Sequence, residues 1–194
     1  MQTTRLEAFS DGVLAIIITI MVLELKIPAG DRLADLGALA PVLLAYLLSF
    51  IYVGIYWNNH HHMLHSVGRI GGAALWANLH LLFWLSLFPF VTAWVGAYPS
   101  SALPTAIYGG VLLMAALAWT VLQSILIAEE CQDSLLARAV GRDRKGKASL
   151  LIYLAAIGLA FRWPLLAQGA YAAVALLWLV PDRRIERVLA AAPD

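Results

Sequence analysis

Long apolar segments determine the class of this chain more strongly than any other feature. Six of them lie along its 194 residues, separated by short stretches that carry proline, glycine or charge. A helix needs about 20 mostly apolar residues to cross a hydrocarbon core of about 30 Å. The predicted spans are Phe9 to Ile27, Leu36 to Trp57, Ile70 to Val95, Ala106 to Ala128, Ala148 to Ala160 and Leu165 to Val180.

The composition agrees with a membrane protein. Hydrophobic residues make up 62% of the chain and charged residues 13%, whereas an ordinary soluble domain is about 45–50% apolar and about 25% charged. The net charge is only +1 and the 13 basic residues are spread along the chain in short clusters, so we expect no nucleic-acid partner. The sequence therefore predicts an all-α integral membrane protein whose residues 1–194 form one transmembrane domain.

Basic residues predict how the last two spans cross the membrane. One long tilted helix from Ala148 to Val180 is the alternative to two short spans. Basic residues precede this stretch (Arg138, Arg142, Arg144, Lys145 and Lys147) and follow it (Arg183, Arg184 and Arg187). Because basic flanks tend to be cytoplasmic, both should lie on one side, which requires an even number of crossings. We predict a hairpin near Arg162, six transmembrane helices, and cytoplasmic amino and carboxyl termini.

The first span begins with an unusual polar stretch, RLEAFSDG at positions 5–12. Asp11, Glu24 and Lys26 place charges where the core of a signal peptide should be uncharged, so we expect this span to be retained. A carboxylate at membrane depth costs at least about 2.5 kcal/mol. Asp11 should therefore face protein and have a partner.

An apolar stripe runs along another face of the first helix. At about 100° per residue, the stripe contains Phe9, Gly12, Ile16, Thr19, Ile20, Leu23 and Ile27. Two interpretations remain open. Copies from several subunits could form a narrow pore with a hydrophobic constriction, or the stripe could be a packing face for another helix.

Polar residues in the next two spans are candidate partners for Ser10 and Asp11. Under the predicted topology, the end of the second span lies on the same side of the membrane as RLEAFSDG. The candidates there are Trp57 and either His60 or His61, together with Asn78 in the third span. A fully hydrogen-bonded network of this kind would orient the first helix.

The histidines also raise the possibility of a metal or haem site. His61 and His65 have the i, i+4 spacing of two ligands on one helical face. No additional carboxylate or cysteine ligand is nearby in the sequence, and there is no HExxH motif. We expect no metal and no cofactor, with the histidines in hydrogen bonds. The main alternative to a channel is a proton-coupled secondary transporter that uses Asp11 and the histidines, although the inverted repeat common in transporters is not evident. A membrane metal or haem enzyme that uses the histidine cluster ranks below it.

Three segments resemble the transmembrane protein 175 family of potassium channels. The family hallmark, R-x-x-x-F-S-D, is matched by Arg5, Phe9, Ser10 and Asp11, and the similarity continues to the closing ELKIP. The stretch YWNNHHHML matches a W-x-x-H-H pattern, and NLHLLFWLSLFPF looks like the family's third helix. The resemblance is specific over about residues 5 to 90 and implies a channel rather than an enzyme.

The resemblance implies a homotetramer of six-helix subunits in a cell membrane, such as a bacterial inner membrane, with four first helices around a central potassium pathway. It assigns Ile16 to the hydrophobic constriction, Thr19 to ion selectivity and Leu23 to a further apolar pore position, while Ile20 joins them by helical geometry. It also implies a polar network of Arg5, Phe9, Ser10, Asp11, Trp57, His60 and Asn78. The chain contains no TVGYG filter, so we expect moderate preference for potassium over sodium.

Overall fold

Helices occupy most of the chain in the computed structural model, which describes residues 3–68, 70–130 and 143–179. These ranges contain helices and connecting turns and no strand. The helices are α1 (Thr3–Leu23), α2 (Leu33–Gly37), α3 (Ala40–His65), α4 (Gly72–Ser86), α5 (Phe88–Ala97), α6 (Ala102–Glu130), α7 (Arg144–Ala160) and α8 (Pro164–Leu179). The prediction of an all-α chain is confirmed for these residues.

Four segments of the described chain are long and apolar enough to cross a membrane: Thr3–Leu23, Ala40–His65, Gly72–Ala97 and Ala102–Glu129. They correspond to the first four predicted spans. The third consists of two helices, because Pro89 near the start of α5 has no backbone N–H to continue the helical ladder of α4. The sequence pattern did not reveal this break at Leu87.

The last two described helices form the predicted hairpin. α7 has 17 residues and α8 has 16, which is short of the roughly 20 residues that a perpendicular span needs. The turn between them runs from Phe161 to Trp163, and Pro164 begins α8, a position where proline's missing N–H has no helical partner to lose. Two separate helices are therefore correct for this stretch. The count of six crossings remains a prediction, and Val180, the predicted end of the last span, lies outside the described residues.

Contacts between helix ends show that the chain runs back and forth between two ends of a bundle. Glu7 at the start of α1 contacts His61 near the end of α3, and the Gly71 N–H donates to Glu129 near the end of α6 over 2.8 Å. We call this the Glu7 end. The first residues of α7 lie at the Glu7 end too, because Gly146 and Ser149 line one pocket with Asn59 near the end of α3. The Trp178 indole near the end of α8 donates to Ser149 and brings the end of α8 to the same place. Five of the basic residues used to predict the hairpin lie outside the described ranges: Arg138, Arg142, Arg183, Arg184 and Arg187.

A buried cluster of tyrosines joins α3, α6, α7 and α8. Tyr52 donates to the Tyr171 carbonyl over 2.6 Å and accepts from the Tyr153 hydroxyl at 3.2 Å. Tyr108 shares a 2.9 Å hydrogen bond with Ser49, and the Tyr171 hydroxyl donates to the Thr105 carbonyl at 3.3 Å. Because polar groups buried away from water cost free energy when unpaired, these bonds allow tyrosine hydroxyls to lie in a membrane protein's interior. α1 contributes no tyrosine and packs instead against α3, α4 and α5.

Two adjacent glycines in α6 provide a matched test of this packing. A Cβ at Gly109 would collide with the buried Tyr171 ring and lie 2.9 Å from Ile157, whereas a Cβ at Gly110 would meet nothing within 4 Å. We expect Gly109→Ala to lower the free energy of unfolding by about 1–3 kcal/mol. Gly110→Ala should be neutral or slightly stabilising. Thermal unfolding of purified protein in detergent measures both, and equal effects would contradict this account of the packing.

Candidate functional site

α1 has one covered face and one uncovered face within the subunit. Its buried residues recur every three or four positions: Leu6, Ser10, Leu14, Ile17 and Met21. The predicted stripe is centred about 120° away at 100° per residue. Phe9 is 53% exposed, Ile16 58% and Leu23 81%, and Thr19 and Ile20 are exposed as well. Among the described residues, the stripe is therefore not a packing face for another helix of the same subunit.

A chain of buried hydrogen bonds holds the covered face of α1. His60 Nε2 lies 2.7 Å from Asn78 Oδ1, the Asn78 amide donates to Ser10 Oγ over 3.0 Å, and the Ser10 hydroxyl donates to the Leu6 carbonyl over 2.9 Å. Asn78 and Ser10 are completely buried and His60 is 2% exposed. Asn78 thus links α1, α3 and α4 through one side chain.

The donors and acceptors of this chain are arranged in one direction. With Asn78 Oδ1 accepting, His60 carries a proton on Nε2, and each group onward donates to the next. Such a chain satisfies polar groups that would cost about 1–3 kcal/mol each if buried without partners. His60 Nδ1 is the exception among the described buried side-chain atoms, since it has no hydrogen-bond partner. The arrangement fixes both the rotation and the depth of α1 against its neighbours.

The structure brings together only part of the predicted polar network. Ser10, His60 and Asn78 are joined, and His60 rather than His61 contacts Asn78. Trp57 is 48% exposed and stacks on His61 with ring centroids 6.5 Å apart. Within the described subunit, Arg5 and Asp11 are not among the residues in ion pairs or hydrogen bonds. Arg5 and Phe9 are exposed, and Asp11 is half-buried on a third face of α1.

A contact that the sequence analysis missed lies at the Glu7 end of the same helix. Glu7 Oε1 and His61 Nδ1 are 2.5 Å apart, and the ring of His65 lies 5.2 Å from that of His61. No carboxylate is near these histidines in the sequence, but the antiparallel packing of α1 and α3 brings Glu7 to them. The predicted topology, which placed the start of α1 beside the end of α3, was the available signal.

These features define a class: a multi-pass helical membrane protein whose amino-terminal helix is held by a buried polar chain and leaves an apolar stripe uncovered. Residues 5–89 match the family described as "Endosomal/lysosomal potassium channel TMEM175". The chain is 52% identical over 189 residues to a protein named as a potassium channel from Chryseobacterium sp. (strain P1-3), covering 97% of this chain and 98% of that protein. The chain belongs to the TMEM175 family.

A solved structure and a mammalian relative extend the comparison. The fold is similar to the crystal structure of a lysosomal potassium-selective channel TMEM175 homolog from Chamaesiphon minutus, with a TM-score of 0.81 and 30% identity over 94% of this chain and 97% of that one. A rat protein named endosomal/lysosomal proton channel TMEM175 is 41% identical over 77 residues, which is 34% of this chain and 15% of the rat protein.

Asn78 offers a direct test of the buried hydrogen-bond chain. Asn78→Ala removes both bridging bonds, leaving His60 Nε2 buried without an acceptor and Ser10 Oγ without its donor, so we expect a loss of about 2–4 kcal/mol in the free energy of unfolding. The matched control is Asn58→Ala, since Asn58 is an exposed residue of α3. Thermal unfolding in detergent compares them. A change at Asn78 no larger than that at Asn58 would refute the role assigned to the chain.

Proposed function

We propose that this protein is a potassium channel, which conducts potassium ions passively across a membrane, and not an enzyme. The observation that carries the proposal is the uncovered apolar stripe on α1, in a fold that matches a potassium-selective homolog over nearly its whole length. The protein from Chryseobacterium, which is 52% identical, is also named as a potassium channel. Because the chain belongs to a family of channels, we interpret the uncovered stripe as the lining of an ion pathway.

The proposed channel unit is a single transmembrane domain of six crossings, with the Glu7 end cytoplasmic. The hairpin of α7 and α8 supplies the last two crossings, so the described chain begins and ends on one side. Arg144, Lys145 and Lys147 at the start of α7 support this orientation, because basic residues favour the cytoplasmic flank. Because α7 and α8 are short, either the bilayer must become thinner beside them or their ends must be buried against the other helices.

Four identical subunits would place their α1 stripes around one axis. In the single subunit, the stripe is uncovered and Asp11 has no described partner, although a carboxylate at membrane depth is costly without one. A neighbouring subunit would supply both a covering surface and partners for Arg5 and Asp11, as the family resemblance implies. The polar network would then have an internal part (Ser10, His60 and Asn78) and an intersubunit part (Arg5, Phe9, Asp11 and Trp57).

The proposed pore combines an apolar ring with a nearby oxygen. Ile16 would form the narrowest ring, with Leu23 two turns further and Ile20 between them. The Thr19 hydroxyl donates to the Ile16 carbonyl over 2.8 Å, and its oxygen lone pairs could still coordinate a cation. Without a carbonyl filter, a ring of side chains replaces only part of the hydration shell that an ion loses. We therefore expect only a moderate preference for potassium over sodium.

Ion flux in liposomes tests the function directly. We expect purified protein to accelerate potassium flux more than sodium flux and to leave chloride flux unchanged, and native mass spectrometry of the same sample should give four chains. A separate proton-flux measurement is included because the rat relative is named a proton channel. Proton flux without potassium flux would replace the proposal with proton conduction, and saturable, pH-driven solute uptake would instead indicate a transporter.

Ile16 and Ile18 provide a matched pair within α1. Ile16→Asn should hydrate the constriction and reduce the preference for potassium over sodium, because a polar ring removes the dewetting barrier. Ile18 packs partly against the core, so Ile18→Asn should lower the yield of folded protein without changing the selectivity of the channels that form. The ratio of potassium to sodium flux measures both variants. Unchanged selectivity in Ile16→Asn would remove Ile16 from the constriction.

A further inference from the structure

Glu7, His61 and His65 form a compact cluster outside the buried hydrogen-bond chain. One potential ligand atom from each lies within 4.8 Å of the other two. Glu7 belongs to α1, whereas both histidines belong to α3, so the cluster bridges two helices. The His61 side chain is 43% exposed and that of Glu7 is 19% exposed, while His65 is exposed. An ion from solution can therefore reach all three groups.

The three side chains match the ligand preferences of a transition metal. Two imidazoles and one carboxylate are a common protein ligand set for Zn²⁺, at about 2.0–2.2 Å from the metal. Tetrahedral ligands at that distance lie about 3.4 Å apart, so modest rotations of the three side chains would bring these atoms into position, with the ion replacing the hydrogen bond between Glu7 and His61. Mg²⁺ and Ca²⁺ prefer oxygen ligands and would find only one such side chain here.

We propose that Glu7, His61 and His65 bind a divalent transition-metal ion, with Zn²⁺ the best match and water in the remaining position. His61 and His65 are one helical turn apart, which suits chelation by a single face of α3. Trp57 stacks against the His61 ring and limits the orientations that the ring can take. His62 also contacts His61, with ring centroids 5.5 Å apart, but it is not part of the cluster.

Bound metal would fasten α1 to α3 close to the buried chain. Glu7 precedes Ser10 by about one helical turn, so the ion would hold the Glu7 end of α1 in the position described above. If α1 must move for ions to pass, Zn²⁺ should reduce potassium flux. This consequence rests on the proposed function, whereas metal binding itself does not.

Calorimetric titration of Zn²⁺ into tag-free, full-length protein in detergent tests the site. We expect one Zn²⁺ per chain for the wild type and at least about tenfold weaker binding for His65→Gln and Glu7→Gln. The matched control is His62→Gln, an exposed neighbour that should bind like the wild type. His65→Gln alters an exposed residue, and retained thermal stability establishes that the variant is folded. No binding by the wild type, or equal binding by the His62 and His65 variants, would overturn the proposal.

Two further measurements separate the site from the function. Co²⁺ bound to the wild type should give the visible absorption of a tetrahedral site, and this absorption should be lost in His65→Gln; absorption that persists in His65→Gln would overturn the ligand assignment. Potassium flux should fall on addition of Zn²⁺ in the wild type and His62→Gln, but not in His65→Gln. Metal binding without any potassium flux would support the metal site and refute the channel. Potassium flux without metal binding would support the channel and refute the metal site.

Discussion

The arrangement of the subunit depends on the two hydrogen bonds that the Asn78 side chain makes. This side chain accepts a hydrogen bond from His60 and donates one to Ser10, so three helices meet at one amide with no exposure to solvent. An amide of this kind has strict geometric requirements, because a rotated or shifted α1 would leave buried donors and acceptors unpaired. The apolar contacts of Leu14, Ile17 and Met21 favour burial of this face. The hydrogen bonds select one rotation of the helix and thereby determine which residues form the uncovered stripe.

Much of the fold could be predicted from the sequence because lipid imposes strict length and hydropathy requirements on helices. The four longest spans, the hairpin near Arg162 and the residues of the apolar stripe on α1 all follow from apolar length, charge placement and helical period, but the period alone did not determine whether the stripe is covered. Two features had no such signal. The break at Leu87 depends on one proline inside a continuous apolar run, which proline does not always interrupt, and the short helices α7 and α8 reveal their lengths only once the turn is positioned.

The candidate site was predictable only in part, since hydrogen bonds depend on side-chain rotation as well as on depth. Depth alone brought Ser10, His60 and Asn78 into one group, but it could not distinguish His60 from His61. Adjacent residues on a helix point about 100° apart. In the structure, His60 contacts Asn78 and His61 contacts Glu7. Asp11 illustrates the other limit: the sequence predicts that its carboxylate needs a partner but does not identify one, and no hydrogen bond or ion pair of Asp11 occurs within the described subunit.

The tyrosine cluster has a consequence for how such a protein can vary. Its tyrosine hydroxyls form hydrogen bonds within α3, α6, α7 and α8. The bonds that continue from Ser49 through Thr92 reach α1 at Met21, on the covered face rather than the stripe. Side chains on the stripe, such as Ile16 and Leu23, have few neighbours within their own subunit. If the stripe lines the pore as proposed, a lineage could exchange these residues and acquire a different permeability while inheriting the same scaffold. On the proposed function, folding and ion preference would depend on largely separate sets of residues, and each could evolve with little effect on the other.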